Sequence, residues 1–161
     1  MRLILMTAAL AMVSTSSQSA PPLPEQAGAL IGPALHVSDL KRSLHFYIDG
    51  LGMQNAMQMG PAERRETILT FGGDPRNPGI ILLSDESGKT ASALVLGNGY
   101  DRTVMRMPDL AATEKRLHAA GFATTPIRHV AHDYSVMMAT DPDGYRYELV
   151  QSGSSPDDGS S

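Results

Sequence analysis

The chain has 161 residues, of which 42% are hydrophobic and 19% charged, and its formal net charge is −4. A chain of this length can bury one hydrophobic core. Its basic residues are scattered, so we expect no nucleic-acid binding. No apolar run is long enough for us to expect a membrane span in the mature protein. Cysteine is absent, which excludes disulfides, thiolate metal sites and a cysteine nucleophile.

The first residues have the order of a secretory signal peptide. Arg2 is followed by an apolar stretch from Leu3 to Val13 and then by small polar residues up to Ser19. We predict a signal peptide at 1–19, a Pro-rich linker at 20–28 and a periplasmic or secreted protein. A disordered tail or a start codon set too early is the alternative.

The carboxyl-terminal residues 152–161 are rich in Ser, Gly and Asp, which predicts a disordered tail. The remaining residues, 29–151, form the predicted domain.

The residue pattern of the first half of this domain predicts one helix and four strands. Ser38 or Asp39 can cap a helix that carries an apolar stripe and ends at Gly50 or Gly52. Strands are predicted at Ala29 to Val37, around Met57, at Thr67 to Phe71 and at Gly79 to Leu83.

The second half repeats this order. A strand is predicted at Tyr100 to Met107, and Pro108-Asp109 opens a helix that Gly121 stops. Further strands are predicted at Thr124 to Ile127, Tyr134 to Thr140 and Tyr145 to Gln151, with a DPDG turn at Asp141 to Gly144. Val37 to Leu40 aligns with Met107 to Leu110 at an offset of 70 residues, which indicates a duplication. The predicted fold class is therefore α+β, with two β-α-β-β-β modules.

Two motifs resemble the vicinal oxygen chelate superfamily, which includes glyoxalase I, bleomycin-resistance proteins and extradiol dioxygenases. HVSDLKRSLHFYIDGLGM looks like the family's first helix, and ATDPDGYRYELVQ is similar to its closing hairpin. The resemblance covers nearly all of Ala29 to Gln151. It implies curved sheets that form a half-open barrel around a ligand cavity, a divalent metal in many members, and a possible homodimer.

The family's four metal-ligand positions can be assigned on this sequence through the resemblance. Glu148 matches a ligand, whereas Gly32, Leu82 and Arg102 occupy the other three positions. Gly and Leu have no donor atom, and a permanently charged guanidinium repels a cation. Since borderline metals ordinarily need at least three protein ligands, we expect the standard metal site to be missing. Nickel, zinc, manganese or iron remains the alternative if this assignment is wrong.

Arg102 and Glu148 are expected to face the same cavity from neighbouring strands. We predict that the guanidinium takes the place of the metal charge and forms a bidentate, buried pair with the carboxylate, so that replacing Arg102 with Leu destabilises the fold. In an enzyme, Glu148 would carry the chemistry with Arg102 as its electrostatic partner. A salt bridge with a purely structural role is the alternative.

Other side chains are weaker candidates. His36 shares strand parity with Gly32, so it is expected to point into the cavity and to bind ligand or act as a base; a histidine bonded to backbone is the alternative. Arg106 and Tyr147 are candidate substrate contacts, although a solvated arginine and a strand-packing tyrosine are the alternatives that their residue types favour. A loop metal site at His129 and His132 has no third ligand. The two helix histidines, His45 and His118, are expected to face solvent.

Two classes of function remain open. The first is a binding protein for a small oxygenated molecule without the standard metal site, and the second is an enzyme. As an enzyme, the protein would be a metal-dependent lyase or isomerase of the lactoylglutathione lyase type, or a dioxygenase-like protein. A glutathione-dependent role does not suit an exported protein well, because glutathione is mainly a molecule of reducing compartments. We therefore predict the metal-free binding protein, with the enzyme as the alternative.

Overall fold

The computed structural model describes residues 28–87, 94–130 and 133–153. The predicted signal peptide, nearly all of the linker, His132 and most of the predicted tail lie outside these ranges. No helix in the described ranges is long and apolar enough to cross a membrane.

The first module contains one short helix and four strands. Its elements are β1 (Ala34–His36), α1 (Leu40–Leu44), β2 (Gln54–Met59), β3 (Arg65–Thr70) and β4 (Gly79–Ser84). The helix begins because the Asp39 carboxylate accepts a hydrogen bond from the Arg42 amide at 3.0 Å. The predicted helix is confirmed from Leu40 to Gly50, but it is α-helical only as far as Leu44 and continues as a π-helical segment from His45 to Gly50. Phe46 and Tyr47 in this segment are both fully buried.

The second module repeats the same plan. Its elements are β5 (Thr103–Arg106), α2 (Leu110–Ala119), β6 (Arg128–His129), β7 (Tyr134–Thr140) and β8 (Arg146–Ser152). The predicted strand at Thr124 to Ile127 is wrong, because only an isolated bridge joins Thr124 to Ala139. Pro126 has no amide hydrogen to donate, and the regular pairing starts after it, at Arg128. The strand β8 extends one residue beyond the predicted end, to Ser152.

Each module forms one four-stranded sheet, and the two sheets have matching topology. The strand orders are β1-β4-β3-β2 and β5-β8-β7-β6, and the first pair in each order is parallel. The predicted duplication is confirmed in the described residues. The two sheets do not close into a barrel, in agreement with the predicted half-open arrangement.

Both modules contribute to one hydrophobic core. In the second sheet, Met105, Met137 and Leu149 point into this core, whereas their neighbours along each strand point to the opposite face. The core side of the first sheet includes Leu82, which is fully buried. We call the opposite side of each sheet its open face.

A buried polar cluster links the modules within this core. The Tyr47 hydroxyl donates to the Asp141 carboxylate at 2.7 Å, and the hydroxyls of Tyr47 and Tyr147 are 2.7 Å apart. Asp141 also accepts hydrogen bonds from the amides of Asp143 and Tyr145, as expected for its turn. This cluster ties the helical segment of the first module to the β7–β8 turn of the second.

Candidate functional site

The open face of the second sheet carries the main predicted site residues. Glu148 on β8 lies beside Val104 on β5 and Met138 on β7, and all three side chains belong to this face. Arg102 immediately precedes β5 and has the same parity as Val104. The fold therefore brings Arg102 and Glu148 to one face from neighbouring strands.

The predicted pair between these two residues is present. Arg102 Nε donates to a Glu148 carboxylate oxygen, while Arg102 Nη1 donates to Asp101. Asp101 in turn accepts a hydrogen bond from Arg146 Nη1 at 3.0 Å. The result is a row of alternating charges, Glu148–Arg102–Asp101–Arg146, which we call the charge row.

Two details of the predicted pair are wrong. The pair is not bidentate, because Arg102 divides its donors between two carboxylates. It is not buried either, since 40% of the Arg102 side chain and 22% of the Glu148 side chain are exposed. The hydrogen bonds from Arg102, to Glu148 first and then to Asp101, raise the pKa of its guanidinium above the ordinary value. The guanidinium is thus a permanent cation on an accessible face.

Leu82 does not lie at the position equivalent to Glu148. Register pairs Leu35 with Leu82 in the first module and Met105 with Leu149 in the second, so Leu82 corresponds to Leu149 on the core side. The open-face equivalent of Glu148 is Ile81, which pairs with Ala34. The predicted match of Leu82 with Glu148 is therefore wrong by one residue, and a shift of one residue along a strand moves the side chain to the other face of the sheet. An isoleucine has no donor atom either.

Gly32 lies at the position equivalent to Arg102, and its backbone explains why it has no side chain. Its φ is +146°, and a Cβ added to it would lie 1.8 Å from the carbonyl oxygen of Gly79. A ligand side chain at this position would therefore require the backbone to move.

The donors on this face do not fit the family's divalent metal. Of the four positions, now Gly32, Ile81, Arg102 and Glu148, only Glu148 has an oxygen to offer, and that carboxylate accepts a hydrogen bond from a cation. No cluster of three or more His, Cys, Asp or Glu side chains suited to a metal occurs within the described ranges. A site with one ligand is well below the three that such metals ordinarily need.

His36 and Arg106 occupy equivalent positions in the two modules. His36 on β1 pairs with Leu83, and Arg106 on β5 pairs with Val150, which puts both side chains on open faces. Both residues are exposed, and Arg106 Nη1 donates to Ser152 Oγ at 3.1 Å. Among the described residues, no hydrogen bond or ion pair joins either side chain to Arg102 or Glu148.

Tyr147 cannot contact a ligand as predicted. Its side chain is fully buried on the core side, and its hydroxyl belongs to the cluster with Tyr47. The alternative of a packing tyrosine is therefore the one that the structure supports. Neighbouring strand residues face opposite sides, so Glu148 and Tyr147 cannot share a cavity.

The other described histidines, His45, His118 and His129, are exposed. His129 Nδ1 lies 2.8 Å from Ser135 Oγ, and the predicted loop partner His132 is outside the described residues. His45 pairs with Asp49 at 2.6 Å, while His118 Nε2 lies 3.1 Å from Thr124 Oγ1. The expectation that His45 and His118 face solvent is confirmed.

A groove of about 540 Å³ adjoins one end of the charge row. Its lining includes Asp101 and Arg146, together with Tyr100, Tyr145 and Leu96. Neither Asp101 nor Arg146 was predicted as a site residue. The signal for Arg146 is its parity with Glu148 two positions away, and the signal for Asp101 is its place directly before Arg102.

Comparisons with known proteins agree with this architecture. The chain is 31% identical to a probable lactoylglutathione lyase of Vibrio parahaemolyticus over 133 residues, which covers 77% of this chain and 91% of the relative. A glyoxalase I structure from Leishmania major superposes with a TM-score of 0.64 at 17% identity, over 78% of this chain and 87% of that one.

A second solved structure has a different role. TnmS3, an antibiotic-binding protein of Streptomyces sp. CB03234, superposes with a TM-score of 0.56 at 20% identity, over 79% of this chain and 98% of that one. At such identities, the two structural likenesses describe the fold alone. Residues 31–149, most of the domain, match the sequence profile of one family. The chain belongs to the Glyoxalase/Bleomycin resistance protein/Dioxygenase superfamily.

Proposed function

We propose that this protein binds a small oxygenated molecule on the open face of its second sheet, without the divalent metal centre of its metal-dependent relatives. The observation that carries the proposal is Arg102, a cation at a metal-ligand position that donates a hydrogen bond to the one remaining ligand, Glu148. A divalent ion beside Glu148 would have to displace this hydrogen bond and approach a permanent positive charge.

The same groups suit an oxygenated ligand. Arg102 and Arg146 supply N–H donors, while Asp101 and Glu148 supply acceptors, and all four side chains retain some exposure. A hydroxyl, carbonyl or carboxylate oxygen can exchange with water at such a face without a large desolvation cost. Within this proposal, His36 and Arg106 contribute to binding rather than to metal coordination.

A lyase or isomerase of the lactoylglutathione lyase type is the second candidate. The names of the Vibrio relative and of others at similar identity favour it. Such an enzyme would need metal ligands from groups that the family assignment does not include. We also retain the proposal of export, based on the order of residues in segment 1–19.

The deciding measurement is metal content together with activity. The full chain is dialysed against nickel, zinc or manganese, bound metal is counted by elemental mass spectrometry, and lactoylglutathione lyase activity is assayed with each metal. We expect less than about 0.1 equivalent of metal and no metal-dependent activity, because the one carboxylate at a ligand position is paired with the Arg102 cation. Near-stoichiometric metal with activity would overturn the proposal in favour of the lyase.

The matched variants are Arg102→Gln and Arg128→Gln. Arg128 is an exposed arginine at the far strand β6 and lies outside the charge row. If Arg102 excludes metal, the Arg102→Gln variant should take up more metal than the Arg128→Gln variant. Equal uptake by both variants would contradict the role of Arg102, because the change in net charge is the same.

A further inference from the structure

A small apolar groove lies between the two modules and reaches the open face of β5 at Val104 and Arg106. Its volume is about 260 Å³, below the roughly 300–1,000 Å³ of pockets for drug-sized ligands. Most of its lining is apolar and comes from the segment before β1, from the β3–β4 turn with the start of β4, and from β5. The apolar contributors include Pro33, Met53, Phe71, Pro78, Ile80 and Val104.

Backbone forms part of the groove wall where two strands approach closely. Gly32 and Gly79 both line the groove, and the Gly79 amide donates to the Ile31 carbonyl at 2.7 Å. Both glycines lack the room for a Cβ, since a Cβ added to Gly79 would lie 2.0 Å from the carbonyl oxygen of Leu69. The groove therefore has a fixed wall at this end.

One cation lines this otherwise apolar groove. Arg106 is exposed, and its Nη1 is anchored by Ser152 Oγ at 3.1 Å. Within the described ranges, no carboxylate forms an ion pair with Arg106, whereas Arg102 and Arg146 share Asp101. An anchored guanidinium with free N–H groups is suited to donate hydrogen bonds to a carboxylate.

Apolar side chains around the groove are also left uncovered. Leu30 is 82% exposed, and Val104 is 59% exposed although it lies in a strand. Burying such side chains is favourable, at about 25 cal/mol per Å² of apolar surface. The groove thus offers an apolar body and one positive end.

We propose that this groove binds a small monocarboxylate with an apolar body, whose carboxylate pairs with Arg106 and whose chain packs on Val104 and Phe71. The inference deepens the proposed function and rests on it, because it names the class of oxygenated ligand. The volume restricts the ligand to a size below that of a typical drug.

The test is calorimetric titration of the full chain with butanoate, hexanoate and octanoate. Hexanamide serves as the uncharged match for hexanoate. We expect affinity to rise by up to about fourfold per added methylene until the groove is full, the ratio that corresponds to about 0.8 kcal/mol per methylene. Hexanamide should bind at least about tenfold more weakly, because it lacks the charge that pairs with Arg106.

Variants assign the binding to this groove. Arg106→Gln should weaken hexanoate at least about tenfold, and Arg106→Lys should weaken it less because the charge remains. Val104→Asn should reduce the gain per methylene, and Arg128→Gln should leave the affinity unchanged. Equal binding of hexanoate and hexanamide, or an unchanged affinity in Arg106→Gln, would overturn the inference.

Other occupants give different results. If the carboxylate of Glu25 competed with hexanoate for the groove, Glu25→Gln would raise the hexanoate affinity about tenfold. That result would assign the groove to the chain's own amino-terminal segment. A dimer that is lost in Val104→Asn and is insensitive to hexanoate would assign it to a second copy. Either result overturns the inference. A metal-free chain that fails to bind hexanoate overturns this inference alone, while stoichiometric metal with lyase activity overturns the proposed function whatever the hexanoate affinity.

Discussion

The two modules share strand order and pairing but differ at the turn before the last strand of each. Asp74-Pro75 in the first module and Asp141-Pro142 in the second are equivalent, and each aspartate accepts a hydrogen bond from the amide two residues on. Asp74 is paired with the exposed Arg76, whose hydrogen bonds lower the pKa of Asp74 to about 2. Burial instead raises the pKa of Asp141 above its ordinary value. The same turn residue therefore has opposite electrostatic surroundings.

Two further pairs of equivalent positions also carry different residues in the two modules. Gly32 and Arg102 precede the first strands, and Tyr47 and Leu117 lie in the helical segments, again 70 residues apart. The charge row exists only in the second module, and the Tyr47 hydroxyl reaches from the first module to Asp141. The repeated backbone plan thus leaves side chains free to differ both on the open face, as at Arg102, and in the core, as at Tyr47.

The largest expected effect tests the first pair of positions. Gly32→Ala should lower the free energy of unfolding by about 2–4 kcal/mol, because the new Cβ meets the Gly79 carbonyl at a positive φ. Urea unfolding measures the change. Gly97→Ala is the control, since a Cβ there meets nothing within 4 Å. Equal stability of the two variants would contradict a steric requirement for glycine at position 32.

The second prediction concerns the link between the modules. Tyr47→Phe should cost about 1–3 kcal/mol of unfolding free energy, because it removes a buried hydrogen bond to Asp141. Tyr100→Phe is the control, as its hydroxyl is on an exposed residue. If both variants unfold at the same urea concentration, the buried cluster does not stabilise the association of the modules.

The third prediction is a loss of stability in alkali. Burial is the main cause that raises the pKa of both Tyr47 and Tyr147 above the ordinary value near 10. Above pH 10 the unfolded chain loses these protons and the folded chain keeps them, so stability falls as pH rises, by about 1.4 kcal/mol per pH unit for each tyrosine. Unfolding between pH 9 and 11 should show a smaller slope in Tyr47→Phe. An unchanged slope would exclude this tyrosine as a cause.

The smallest expected effect on stability is at Arg102, whereas the largest is at the equivalent position, Gly32. Arg102→Leu should melt close to wild type, because its ion pairs are partly exposed and such pairs contribute little to stability. Thermal melting alongside Arg128→Leu checks this expectation. A large drop confined to Arg102→Leu would mean that the charge row stabilises the second module and would favour the structural alternative for the pair.

The sequence alone was sufficient for the duplicated plan and for the partnership of Arg102 with Glu148. Helix caps such as Asp39 and Asp109, and strand alternation, are local signals that do not depend on the rest of the chain. The matching offset of the two first strands located Arg102, and the family resemblance then implied that it shares a face with Glu148. The alignment of the last strands failed, since Leu82 was matched with Glu148 in place of Ile81. The β3–β4 and β7–β8 connections differ in length, so the residue spacing of one module does not carry over to the other.

Tertiary structure alone decided how exposed and how connected these residues are. The exposure of Glu148 depends on what covers the open face, and the second partner of Arg102 depends on the path of the preceding segment. Tyr47 and Asp141 are 94 residues apart, so no local pattern reveals their hydrogen bond. Residue type and strand parity determine which groups can meet, whereas burial and pairing depend on how distant segments pack together.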